Sequence, residues 1–88
     1  MNLKLKTKFE AFVSDLETYS TNIGEIVDQV QESLDTLQEQ FDKHSDDWKD
    51  GDPGVEAQEE LDALQTIIDN LTDIGDNIDN TVNDINAL

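Results

Sequence analysis

Asp46-Asp47-Trp48-Lys49-Asp50-Gly51-Asp52-Pro53-Gly54 is the one clear interruption in this 88-residue chain, and it holds the only Pro and two of the four Gly. A Pro is tolerated in the first turn of a helix, where its missing N–H has no intrahelical partner, and its ring is poorly placed anywhere later. Pro53, just ahead of Val55 and Glu56, therefore starts a helix, with Asp52 as the expected N-cap. Gly51 suits a left-handed cap closing the helix before it. The segment reads as a turn between two helices.

On either side of the turn, apolar residues recur at alternating steps of four and three. Before it the walk runs Phe9, Val13, Leu16, Ser20, Ile23, Val27, Val30, Leu34, Leu37, Phe41, His44, Trp48, with Ser20 and His44 the two polar members. After it the walk runs Ala57, Leu61, Leu64, Ile68, Leu71, Gly75, Ile78, Val82, Ile85. This period puts one greasy seam along each helix, and a short turn folds the seams together. The sequence predicts an all-α single domain, 1–88, built as an antiparallel hairpin of two long amphipathic helices. Helix 1 is expected at about 7–48, the turn at 49–53 and helix 2 at about 54–86.

A second helix of that length covers the first only from about residue 15 onward. The remainder is not polar, for it includes Phe9, Phe12 and Val13. Phe12, Tyr19 and Ile26 form a further apolar row beside the first seam, and Ile67, Ile74 and Leu88 form one beside the second. Two helices cannot cover stripes that wide. Either the chain breaks near Ser20-Thr21-Asn22-Ile23-Gly24 and its start folds back as a short third helix, or helix 1 runs on and two chains associate. The continuous seam through Ile23 favours the second arrangement, a homodimer through Phe9, Phe12, Val13 and Tyr19. Gly24 and Gly75 lie inside the helices, as sites of close approach, as kinks, or as tolerated weak points.

Charge is the other organising feature. The chain has 22 acidic residues against 5 Lys and a formal net charge of −17. Glu25, Asp28, Glu32, Asp35, Glu39, Asp42 and Asp46 recur at steps of three and four, one stripe on one helical face. No Lys or Arg lies between Lys8 and Lys43. Exposed helices ordinarily mix signs, and unpaired acids at i and i+4 repel by a few tenths of a kcal/mol each. Helix 2 repeats the choice with Glu59, Asp62, Asp69, Asp73 and Asp76. Such a surface repels nucleic acids and anionic membranes and is drawn to basic clefts.

Catalytic chemistry finds few parts here. There is one His, no Cys and no Arg, so thiolate catalysis, sulfur-ligated zinc and disulfides are excluded. His44 sits at a seam position one turn before Trp48, where a packing role at the hairpin end is expected. The acids of the turn offer hard oxygen ligands, yet a calcium loop begun at Asp46 puts Trp48 at its third position and Ala57 where a bidentate Glu belongs. No catalytic residue, cofactor or metal site is expected. No apolar run is long enough to cross a bilayer, and the chain reads as soluble and cytoplasmic, in a host cell if phage-encoded.

This charge layout resembles that of the small acidic inhibitors of phages and mobile elements, which occupy DNA-binding sites of restriction, CRISPR, repair or recombination enzymes. The resemblance implies a non-enzymatic DNA or RNA mimic of anti-restriction, anti-CRISPR or anti-repair type. Its partner would be a basic nucleic-acid-binding protein, met by Glu25, Asp28, Glu32, Asp35, Glu39, Asp42 and Asp46 with Asp62, Asp69, Asp73 and Asp76. The turn Trp48-Lys49-Asp50-Gly51 also resembles, with one residue more, the Trp-x-Gly turn of the WXG100 family of secreted helical hairpins. That resemblance implies an assembly or secretion partner of another helical protein.

Overall fold

The computed structural model describes residues 3–88, with side chains from residue 5 onward. Met1, Asn2 and the side chain of Lys4 in the basic start lie outside the described residues. Three helices follow in order: α1 (Leu3–Asp42), α2 (Asp46–Asp50) and α3 (Asp52–Asn86). The two long helices pack along each other as an antiparallel hairpin, and the molecule is a rod of 67 × 15 × 14 Å.

The seams are where the packing is. Of the seam positions named above only His44 is exposed, and all the others are buried or half-buried. The best-covered side chains are Leu61, Ile68 and Val82, spaced at sevens or multiples of seven on α3. Gly75 continues that line, and Ile23 Cγ2 lies 3.7 Å from where a Gly75 Cβ would stand. Gly24, by contrast, has nothing within 4 Å of its missing Cβ, so neither Gly marks a forced approach of the helices. Ser20, the polar seam member, donates its hydroxyl to Asp79 Oδ1 on α3 at 2.8 Å. A polar group in a seam is tolerated when it is paired, and pairing one specific partner fixes the register.

α1 is continuous through Ser20–Gly24, so residues 7–19 do not fold back as a third helix. The helix ends at Asp42, however, six residues before the expected Trp48. Lys43 N–H donates to Gln40 O and His44 N–H to Phe41 O, tight turns that close the helix. Ser45 then caps a new one, its Oγ accepting from Trp48 N–H at 3.3 Å. Asp46 and Asp47 occupy the first turn of α2 and Lys49 its last, the order that suits a helix dipole. Ser followed by two Asp is a better helix start than a helix interior, which is why the apolar period runs past the break while the backbone does not.

Gly51 serves both as C-cap of α2 and as N-cap of α3, in an extended conformation (φ −85°, ψ 179°) and not the left-handed one expected. Asp52 accordingly lies within α3 and not at its cap. Pro53 occupies the first turn of α3, as its chemistry requires. The glycine that the corner needs is Gly54: it is buried, and a Cβ there would collide with the backbone of Lys49.

Because α1 ends early, α3 slides toward its start. Ala57 lies across the cleft from Phe41, and Ile85 and Leu88 reach Phe9 and Val13. The uncovered start is shorter than the 14 residues expected, and Phe9 and Val13 belong to the hairpin's own seam.

Candidate functional site

A helix seam has two flanks. With the seam positions named a and d, positions e and b follow on one side and g and c on the other. In an antiparallel pair the e flanks of both helices share one side of the rod and the g flanks the other. The clefts between the helices confirm that arrangement. Glu10 and Asn86, both at e, line one cleft at the open end, whereas Gln40 and Glu60, both at g, line another near the turn.

The stripe acids fall at b and f, away from the seam and toward the e side. Glu25, Asp28, Glu32, Asp35, Glu39 and Asp42 lie on one uninterrupted stretch of α1 and all are exposed. Asp46 is exposed too, but it begins α2, and the break at residues 43–45 takes it out of the row. Asp62, Asp69, Asp73 and Asp76 are exposed on α3, as is Glu59. The pairing of Ser20 with Asp79 and of Ile23 with Gly75 sets the level of the two rows. They run side by side, each about 26 Å long at 1.5 Å per residue. Residues 25–76 hold 17 of the 22 acids against two Lys.

Neutralisation is sparse but not nil. Lys43 reaches back one turn to Glu39 Oε1 at 3.3 Å, the one side-chain ion pair found among the described residues, and both partners are well exposed. Such a pair contributes little to stability. Lys49 Nζ lies 3.4 Å from the Asp42 carbonyl and 5.6 Å from the Phe41 ring centroid, a cation held at the end of α1 where the helix dipole favours one.

Glutamine does more of the ordering than lysine. Gln31 donates to Asp35, Gln38 to Asp42, Gln58 to Asp62 and Gln65 to Asp69, each through Nε2 at 2.9–3.0 Å and each across four residues. All four Gln occupy e positions and all four Asp occupy b. An amide holds a carboxylate in place without cancelling its charge, so these bonds align the acid rows and leave the field intact. The signal was present in the sequence as two Gln-x-x-x-Asp pairs seven residues apart on each helix.

The turn end carries an aromatic group. Trp48 stacks on His44, ring centroids 3.6 Å apart and planes 9° from parallel, and meets Phe41 edge-on at 5.9 Å. Trp48 is half-buried and closes the end of the seam, while His44 is exposed and packs by covering the indole. No convergent acid or nucleophile accompanies this histidine, and no cluster of three or more metal-binding side chains occurs among the described residues.

The g side is different in kind. Phe12, Tyr19 and Ile26 on α1 and Ile67 and Ile74 on α3 are all exposed, at 43–57% of their surface, and Leu88, two residues past the end of α3, is exposed at the open end. Phe12 rests edge-on against Phe9 at 5.4 Å. Of the residues expected to join two chains, the hairpin takes Phe9 and Val13 for itself and leaves Phe12 and Tyr19 outside. No helix is long and apolar enough to cross a membrane among the described residues.

Compared with protein-family models, curated proteins and solved structures, the chain matches none.

Proposed function

We propose that this chain is a non-enzymatic binding protein that blocks a basic nucleic-acid-binding protein by presenting carboxylates where that protein normally receives phosphates. The supporting observation is the pair of acid rows, exposed, level with each other and aligned by glutamine. One row carries a charge every ~5 Å, against one phosphate per 3.4 Å on each strand of a duplex. A single row is thus a coarse imitation. Two rows on helices about 8–10 Å apart approach the charge density of a double strand more closely.

A cleft that binds phosphates does so by gathering Lys and Arg and releasing counterions. Carboxylates on a rigid rod engage the same cations, and the rod's field draws such a cleft in faster at low salt. Contact residues on this reading are Glu25, Asp28, Glu32, Asp35, Glu39 and Asp42 with Asp62, Asp69, Asp73 and Asp76, and Asp46 contributes from the turn end.

The test is capture from host extract at low salt, followed by competition of the captured protein between this chain and a fluorescent DNA or RNA duplex. The expected result is displacement of the duplex and release of the complex as salt is raised to about 0.5 M. Glu32→Lys, Asp35→Lys and Glu39→Lys together should abolish capture with helicity unchanged by circular dichroism. Capture that survives both high salt and this triple reversal would instead favour the assembly-partner reading, in which the exposed apolar side makes the contact.

A further inference from the structure

We infer that the g side of the rod is a self-association surface, on which a second copy of this chain packs to form a four-helix bundle. The surface is distinct from the acid rows, and the inference does not depend on the mimicry reading.

The first observation is the apolar area left open. The chain exposes 6402 Å², whereas a compact monomer of 9.9 kDa exposes about 5,200 Å². Among the described residues no large side chain is fully buried, and only Leu61, Ile68 and Val82 form a core. On α1 the exposed row Phe12, Tyr19, Ile26 repeats at sevens, and on α3 Ile67 and Ile74 are seven apart with Thr81 at the next step. With Leu5 these residues offer on the order of 560 Å² per copy, at about 200 Å² for each residue fully exposed. Two copies would bury about 1,100 Å², at the small end of specific protein interfaces.

The second observation is register. The Ser20–Asp79 and Ile23–Gly75 contacts set Ile26 level with residues 72–73, within two residues of Ile74, and Tyr19 level with 79–80, within two of Thr81. A two-fold axis parallel to the rod lays α1 of one copy on α3 of the other, so that Ile26 meets the partner's Ile74 and Tyr19 the partner's Thr81. The same operation sets Glu60 opposite the partner's Gln40 and keeps the two Glu60 side chains apart.

The third observation is charge. The c positions bordering this side are neutral along its middle, Asn22, Gln29 and Thr36 on α1 and Ala63, Asn70 and Asn77 on α3, with Asp15 and Asp84 toward the open end and Lys43 and Glu56 near the turn. The acid rows point away from it. A second copy can therefore approach here despite a net charge of −17, and a basic partner finds little to grip.

Sedimentation equilibrium and small-angle scattering of the full chain at low and moderate salt test the proposal. The expected particle has twice the 9.9 kDa mass and is no longer than the 67 Å of one rod. Salt should tighten the association, because it screens like charges. Tyr19→Glu with Ile74→Glu should weaken it at least 100-fold while the helical circular dichroism signal stays, since both positions are exposed. Tyr19→Ala with Ile74→Ala should weaken it in the same direction, and Thr66→Ala, on the outer face of α3, should leave it unchanged. A monomer at every concentration and salt, a longer end-overlapped dimer, or a dimer indifferent to the Glu variants would each overturn the proposal.

Discussion

Three glycines of this chain look alike in sequence and differ in what surrounds them. Gly24 faces open space and Gly75 stands at ordinary contact distance from Ile23, so in both cases an added methyl has room. Each lies in a helix interior, where Gly costs about 1 kcal/mol relative to Ala. Gly24→Ala and Gly75→Ala should each raise stability by about that amount, a melting temperature gain of roughly 4–8 °C for a domain this size. Gly54→Ala should do the opposite, because its methyl would meet the Lys49 backbone and push α2 off α3. Thermal unfolding of the three variants separates the cases. A Gly54→Ala protein as stable as the parent would mean that the corner is looser than its geometry implies. The local sequence sets Gly54 in the turn and the other two inside helices, but whether a methyl fits depends on which backbone passes nearby.

At the level of elements, the seams were legible because a four-three apolar period has one structural meaning when it runs for ten turns. The unbroken α1 was legible for the same reason, through Ile23. The end of α1 was not. Phe41 and Trp48 keep their seam places across residues 43–45, where the backbone turns, while His44 is exposed and stacks on Trp48 from outside. What decides the break is the polar chemistry of Ser45-Asp46-Asp47, a cap and two acids at a helix start. The error moved α3 along α1 and cost Asp46 its place in the acid row. If the cap is what holds α2 in place, Ser45→Ala should lower stability by about 1 kcal/mol. It should also loosen the Trp48 stack on His44, which tryptophan fluorescence would report. Unchanged emission and melting would show that α2 is held by its aromatic packing alone.

The whole molecule is a rod with unlike sides and unlike ends. The turn half carries most of the acids on one side, the exposed apolar rows run along the other from Phe12 near the open end to Ile67 past the middle, and the open end holds the basic start of the chain. Among the described residues only the Lys43–Glu39 pair relieves the acid rows directly, and the glutamine bonds orient carboxylates without discharging them. Folding therefore brings like charges closer than the extended chain holds them, and it does so against a seam with few fully covered side chains. Dissolved ions screen that repulsion over a Debye length of about 10 Å at 0.1 M and 3 Å at 1 M, comparable to the spacing of the rows. Melting temperature should thus climb steeply between about 0.01 and 0.5 M sodium chloride and flatten above it. Replacing Asp28, Glu32 and Asp35 by Asn, Gln and Asn should raise the low-salt melting temperature and shrink the climb. The two effects belong together: a triple variant whose melting temperature depends on salt as strongly as the parent's would show that the rows are not the source of the repulsion. In that event the field along Glu25–Asp42 would be too weak to stand in for a phosphate backbone.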